Sequence, residues 1–334
     1  VDVDGNTLSE IKRHNFDTEV NILDQPAHGA CTMIRSEFLK QVGGYDEDYT
    51  CQDGYELWVK FINKFKVTNI NKTLFSYRRH NYNLTNNENK ILGTRLKIKE
   101  AYVKKNNLDI PNTAGVIPLR PNFDIALEPF GGGTFLDFKI KSLLNTENIS
   151  KVIVTSSDLT IKAHIEERYG AEIQFIERPI ALERINVSLF KTLQFLVNVD
   201  DLQHLDLFLF CSVAYPFVDY EILNDAINTL VIFKADSLVS VRPEDDKFYR
   251  HTGNGMQAIL EQDNFTKLER EALYKYTGGI LLTNRLSSLN AEKLIHGKVG
   301  HIVISEKAAL NVGSSFEKQV CFNLLSNLEI EKTT

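Results

Sequence analysis

The residues best suited to chemistry fall in a few short stretches of the 334-residue chain. Arg120 follows the apolar pair Val116 and Ile117 and Pro118, and the glycines Gly131, Gly132 and Gly133 come soon after. Backbone amides of such a triplet could face a phosphate, but a turn that needs positive φ explains three glycines equally well. Asp53 opens an apolar helical pattern, where the helix dipole favours an ionised carboxylate; capping that helix is the plainer role. Arg78 and His80 sit in the cationic run at 77–85, which also reads as a solvated turn. His251 stands in YRHTGNG, where an imidazole beside glycines could approach a sugar or phosphate. Arg242, Lys247, Arg250, Arg270 and Lys298 are further cations, each equally at home on a solvated surface.

Strands and helices have to position these groups. After the strand that ends at Pro118, Leu136, Ile140, Leu143 and Leu144 recur at helical spacing, so the period changes across the glycine loop. A strand that feeds a helix in this way holds ligands at its carboxyl end. Further strands are expected at 152–155, 173–176, 206–210, 237–242 and 299–304, and helices at 159–169, 189–197 and 222–230. Their alternation predicts an α/β fold, a doubly wound and mostly parallel sheet. Ser314 and Glu317 read as a capping box for a last helix. Ahead of this region, VDVDGNTL reads as a strand end with an Asp-Gly turn. A helix at 36–42 capped by Ser36, a helix from Asp53 with a Leu57, Trp58, Phe61 and Phe65 stripe, strands at 66–70 and 74–77, and an amphipathic helix within 86–107 then follow. The loop-like NNLDIPNTAG separates two domains, 1–105 and 115–330, with 106–114 as linker.

Composition narrows the function classes. The chain is 43% hydrophobic and 25% charged, an ordinary globular balance at a length typical of two domains. No apolar run reaches the roughly 20 residues of a membrane span, and the first residues lack a signal-peptide layout, which points to the cytoplasm. Cys31, Cys51, Cys211 and Cys321 form no CxxC pair, so buried free thiols are expected rather than disulfides or a zinc site. Residues 1–110 carry 16 basic and 15 acidic side chains and the remainder 22 and 29, a balance that disfavours nucleic-acid binding.

Two family resemblances overlay this reading. HGACTMIRSEFLKQVGGYDEDY, then CQDGYELW at 51–58 and YRRHNYNLT at 77–85, resembles in order and spacing the acceptor-side half of family-two inverting glycosyltransferases, whose fold is GT-A. That resemblance implies that Asp53 deprotonates the acceptor hydroxyl and that Arg78 and His80 close over the donor's diphosphate. It also implies a donor-binding half, with a metal-binding DxD motif, ahead of residue 1. Gln52 stands where the family usually has an acid.

Residues 115–328 are similar to the cytidylyltransferases that make CMP-activated sialic-type sugars. VIPLR, SKVIVTSSD, DLFLFCSVAYPF, ADSLVSVR and YTGGILLT follow the order of that family's strands, and HGKVGHIVISEKAALNVGSSFE its closing segment. The resemblance implies a nucleotidyltransferase-like, Rossmann-like fold in which Arg120 serves the triphosphate and Ser212 lies in the base-reading pocket. Asp124 and Glu128 enter the phosphate loop, Gly133 replaces its lysine, and Asn311 with Gly313 replaces metal-binding aspartates. Asn311 brings no charge to hold a hard divalent cation. The expected function is nucleotide-sugar handling in cell-surface glycan assembly, with CTP or a CMP-sugar and a glycan acceptor as partners and with weak nucleotidyl transfer. Mg²⁺ or Mn²⁺ and a homodimer are compatible with it. The alternative is a non-catalytic nucleotide-binding or scaffolding protein.

Overall fold

The structure is a computed structural model that describes residues 1–8, 31–62, 64–70, 72–78, 80, 87–121, 125–244, 246–259 and 273–331. The chain forms two compact units, Val1–Tyr102 with Pro243–Lys275 and Val103–Arg242 with Tyr276–Thr334.

The first unit contains α1 (Ser36–Gln41), α2 (Asp53–Phe61) and most of α3 (Glu88–Lys105). Its core joins Val42, Leu57 and Phe61, and Phe38 stacks on Phe65 with ring centroids 4.2 Å apart. Arg95 Nε of α3 donates to Gln52 Oε1 at 2.8 Å and its guanidinium lies over the Tyr55 ring of α2, while the Cys51 thiol meets the Thr94 hydroxyl at 3.2 Å, so side-chain contacts join the start of α2 to α3. Several expectations need correction. Residues 66–70 and 74–77 form no strand; Ile70 and Leu74 are largely exposed, so neither segment buries the apolar face that would hold a strand in place. VDVDGNTL has the expected turn, with Gly5 N–H donating to Asp2 O, but no strand. The N-cap of α1 is Arg35 rather than Ser36, with no side-chain bond, and Cys31 is exposed rather than buried.

The second unit is built on β1 (Thr113–Pro118), the short hairpin β2 (Pro129–Phe130) and β3 (Gly133–Thr134), α4 (Phe135–Leu144), β4 (Lys151–Ser156), α5 (Leu159–Tyr169) and β5 (Gln174–Glu177). It continues with α6 (Leu189–Leu196), β6 (Leu207–Cys211), α7 (Tyr220–Phe233) and β7 (Ser237–Glu244). The segment between β7 and β10 (Leu273–Asn284) carries the hairpin of β8 (Tyr249–His251) and β9 (Met256–Ala258); α8 (Arg285–Ala291), β11 (Val299–Val303) and α9 (Ser315–Glu331) end the chain. The central sheet has the order β11-β7-β10-β6-β1-β4-β5. β1 runs parallel to both β4 and β6, and β10 is antiparallel to β6.

Alternation along β1 decides which helix covers which face. Ala114 and Val116 pack with Phe190, Leu193 and Leu196 of α6, whereas a Cβ on Gly115 would stand 2.7 Å from Leu143 of α4. Helices therefore lie on both faces, the doubly wound arrangement. We expect Gly115→Ala to destabilise the fold by about 1–3 kcal/mol by overpacking, measured by urea denaturation; an unchanged midpoint would show that Leu143 repacks without strain. Side-chain caps set the helix starts. Thr134 and Asp137 form a reciprocal capping box on α4, Asp158, Ser188 and Asp219 cap α5, α6 and α7, and Ser314 with Glu317 makes the expected capping pair at α9.

Candidate functional site

The strand order reverses direction between β1 and β6. β1 leads outward to β4 and β5, while the chain returns to β6 on the opposite side of β1. In an open parallel sheet, this switch point leaves a crevice at the strands' carboxyl ends. Here it is a cavity of about 270 Å³, bounded by Pro118 and Arg120 after β1, Ser212 and Val213 after β6, and Tyr276 and Gly278 on β10.

A buried ion pair knits the loops on one side of the cavity. Arg178, just past β5, is 3% exposed. Its Nη2 donates to Leu119 O at 2.5 Å and to Glu183 Oε1 at 3.3 Å, and its Nη1 donates to Thr192 Oγ1 of α6 at 2.7 Å. Glu183 in turn accepts the Ser157 backbone N–H and hydroxyl, each at 2.6 Å, from the end of β4. One guanidinium and one carboxylate thus join the segments that follow β1, β4 and β5. Burial lowers the pKa of Arg178, Glu183 opposes that, and the neighbouring Arg120 charge lowers it further. Arg120 itself is exposed.

A second buried cation supports the loop after β6. Lys139 of α4 is wholly buried, and its Nζ donates to Tyr215 O at 2.9 Å and Val218 O at 2.7 Å. Burial brings its pKa down to about 8, against the raising effects of Cys211 and Asp219, and burial pushes the Cys211 thiol up to about 12. Between pH 8 and 9 the unfolded chain keeps the Lys139 proton that the folded chain releases, so this group makes stability rise with pH. The rise is about 1 kcal/mol over that interval and is absent from Lys139→Met, as measured by urea denaturation across the range. Above pH 9 Cys211 acts in the opposite sense, because only the folded chain keeps the thiol proton. A Lys139→Met profile parallel to that of the parent would contradict the assignment.

The cavity collects only part of what the sequence marks. Arg120 and Ser212 line it, and Ser212 Oγ accepts the Ala214 N–H at 3.2 Å. Asn311 stands one residue behind: its Nδ2 donates to Tyr215 OH at 3.0 Å, and Val312 N–H donates to Ala214 O at 2.9 Å. Gly131 and Gly132 form the two-residue loop of the β2–β3 hairpin, with φ of 57° and 76°, the conformation that selects glycine in such loops. Neither glycine lines the cavity. Arg242 Nη1 donates to Ile304 O at 2.8 Å, with Glu306 3.6 Å from Nη2, and so it braces the chain after β11.

In the first unit, His251 is exposed on β8, and its Nδ1 accepts the Gly253 N–H at 3.1 Å. Asp53 is the exposed first residue of α2, whose N-cap is Gln52 in a left-handed conformation. Arg78 and His80 are exposed in a stretch without regular structure. Asp124, Arg79 and Arg270 lie outside the described residues. Glu128 is paired with Lys318.

Sequence reading missed Arg178, Glu183 and Lys139. A clue existed for the first two: an arginine one position past a strand, with a glutamate five residues on. Among the described residues no group of three or more His, Cys, Asp or Glu side chains converges. Among the described residues the cavity's polar lining is cationic or neutral, which does not fit a hard divalent cation.

No protein-family model matches the chain, and no curated protein matches it. Among solved structures it is similar to 4-diphosphocytidyl-2C-methyl-D-erythritol synthase from Anaerococcus prevotii, with 15% identity and a TM-score of 0.50 over 66% of this chain and 98% of that one. A CMP:2-keto-3-deoxy-manno-octonic acid synthetase complexed with CTP is 11% identical, with a TM-score of 0.49 over 65% of this chain and 99% of that one. The first similarity shows a shared nucleotidyltransferase-like fold of the Rossmann type. Among the described residues no helix is long and apolar enough to cross a membrane.

Proposed function

We propose that the second unit is a nucleotide-binding domain of nucleotide-sugar chemistry and that its own nucleotidyl transfer is weak. The observation that carries this reading is the cavity at the β1/β6 switch point with Arg120 at its edge. Such crevices hold nucleotides in open α/β sheets, and the named activity of the Anaerococcus neighbour points to a cytidine nucleotide as the first ligand to try. Catalysis is a separate matter. Pyrophosphate departure needs positive charge spread over a triphosphate, and the described lining offers no acidic group for a metal.

The first unit is proposed, on its motifs, as the acceptor-side module of a GT-A sugar transferase, with Asp53 as base and Arg78 and His80 at the donor diphosphate. The two units would then serve one glycan-assembly pathway in the cytoplasm. The absence of a converging acidic group among the described residues favours a second reading for the second unit, a non-catalytic nucleotide sensor or scaffold.

Thermal-shift measurements with the four nucleoside mono- and triphosphates, with and without Mg²⁺, test the binding claim. A stabilising shift is expected with cytidine nucleotides; no shift with any nucleotide rejects the site. Incubation with CTP, Mg²⁺ and a panel of nonulosonic acids tests the catalytic claim by pyrophosphate release. Turnover far below about one per second is expected, and a rate near that value, lost in Arg120→Ala, would show that the domain is an active synthetase.

A further inference from the structure

The charges around the cavity restrict the anion it can take. Two guanidiniums belong to its lining, but they are not equivalent. Arg178 is neutralised by the buried carboxylate of Glu183, and its Nε and both Nη atoms already donate to Glu183, Thr192 and Leu119 O. It has no net charge to offer a ligand. Lys139 is outside the lining and wholly buried, and it donates to the Tyr215 and Val218 carbonyls. Arg120 alone combines exposure with a lining position and, among the described residues, has no ion-pair partner. The rest of the described lining is apolar or neutral, with Leu182, Val187, Leu189, Phe210 and Val213 beside the hydroxyl-bearing Ser212 and Tyr276.

We propose that this cavity is selective for a nucleoside carrying a single phosphate, either a free nucleoside monophosphate or the phosphodiester of an activated sugar, and that it discriminates against di- and triphosphates. The proposal rests on the nucleotide-binding reading and names its ligand class. One guanidinium can pair bidentately with one phosphate. Each further phosphate brings negative charge into a space of about 270 Å³ whose described lining has no second free cation and no carboxylates to retain a metal. The apolar walls accept the nucleoside, and the Ser212 hydroxyl, whose oxygen accepts the Ala214 N–H, keeps its proton to donate to a base or ribose.

Isothermal titration of the full chain with cytidine, CMP, CDP and CTP, with and without Mg²⁺, and with CMP-N-acetylneuraminate as the diester tests this. CMP or the diester is expected to bind at least about tenfold more tightly than CTP in either condition. Whichever of the two binds more tightly identifies the source of the phosphate. Arg120→Ala is expected to weaken CMP binding about tenfold and to change cytidine binding less than about twofold. CTP with Mg²⁺ binding more tightly than CMP overturns the selectivity and leaves the nucleotide site standing. CMP binding unchanged in Arg120→Ala overturns the role of that arginine as the phosphate partner and the selectivity with it. No binding of any nucleotide or of cytidine overturns both the selectivity and the reading beneath it.

Discussion

Glu183→Gln is expected to destabilise the second unit by about 3–5 kcal/mol, a large part of the roughly 5–15 kcal/mol that keeps a typical domain folded. The substitution keeps the shape of the side chain and removes its charge, so Arg178 is left as a buried guanidinium without a counterion. The cost comes from that unpaired charge rather than from the lost attraction, because two ions gain little net energy from meeting in a dry interior. A double variant, Arg178→Met with Glu183→Leu, should therefore be less destabilised than Glu183→Gln alone. It will not recover fully, since the Ser157 groups, Leu119 O and Thr192 lose their partners. The single tryptophan, Trp58, lies in the first unit, so unfolding of the second should be followed by far-UV circular dichroism in urea. A Glu183→Gln midpoint within about 1 kcal/mol of the parent would mean that water solvates the Arg178 guanidinium after all.

The second large effect belongs to the first unit and depends on the proposed transferase role. In a form of the protein that carries a donor-binding half, Asp53→Asn should cut sugar transfer by about 100-fold or more, the scale of losing a general base. Stability should hardly change, because Asp53 is exposed and the N-cap position of α2 is taken by Gln52. That separation is informative. A variant that loses activity and stability together would return Asp53 to a structural role at the helix start, and one that transfers at the parental rate would exclude it as the base.

The second unit was legible wherever local pattern and burial agree. The change from strand to helical period between Val116 and Leu144 marks β1 and α4, and the apolar run after Asp206 marks β6. Helix starts were partly legible, since Ser314 and Glu317 form their capping pair while Ser36 does not cap α1. Residues 66–70 misled because a short run with Val67 and Ile70 fits a strand locally, yet Ile70 stays largely exposed and anchors nothing.

The glycines illustrate a different limit. The same triplet serves a phosphate loop or a hairpin, and only the positive φ of Gly131 and Gly132 beside a paired Pro129 and Thr134 identifies the hairpin. Arg178 and Glu183 left only a faint local clue, their spacing of five residues, and Lys139 left none, because its partners come from a distant segment. A lysine inside an apolar helix is normally read as surface, and nothing local reveals that the Tyr215 and Val218 carbonyls, more than seventy residues on, wait for it. Arg120 and Ser212, marked in the sequence through the cytidylyltransferase resemblance, both line the cavity and both follow strand ends, where open α/β sheets place ligands.

A crystal structure of the chain grown with CMP tests the central claim most directly. The nucleoside should lie between the ends of β1 and β6, against Phe210 and Val213, with its phosphate on the Arg120 guanidinium. A nucleotide seated anywhere else on the second unit, or only on the first unit beside Arg78 and His80, would contradict the account.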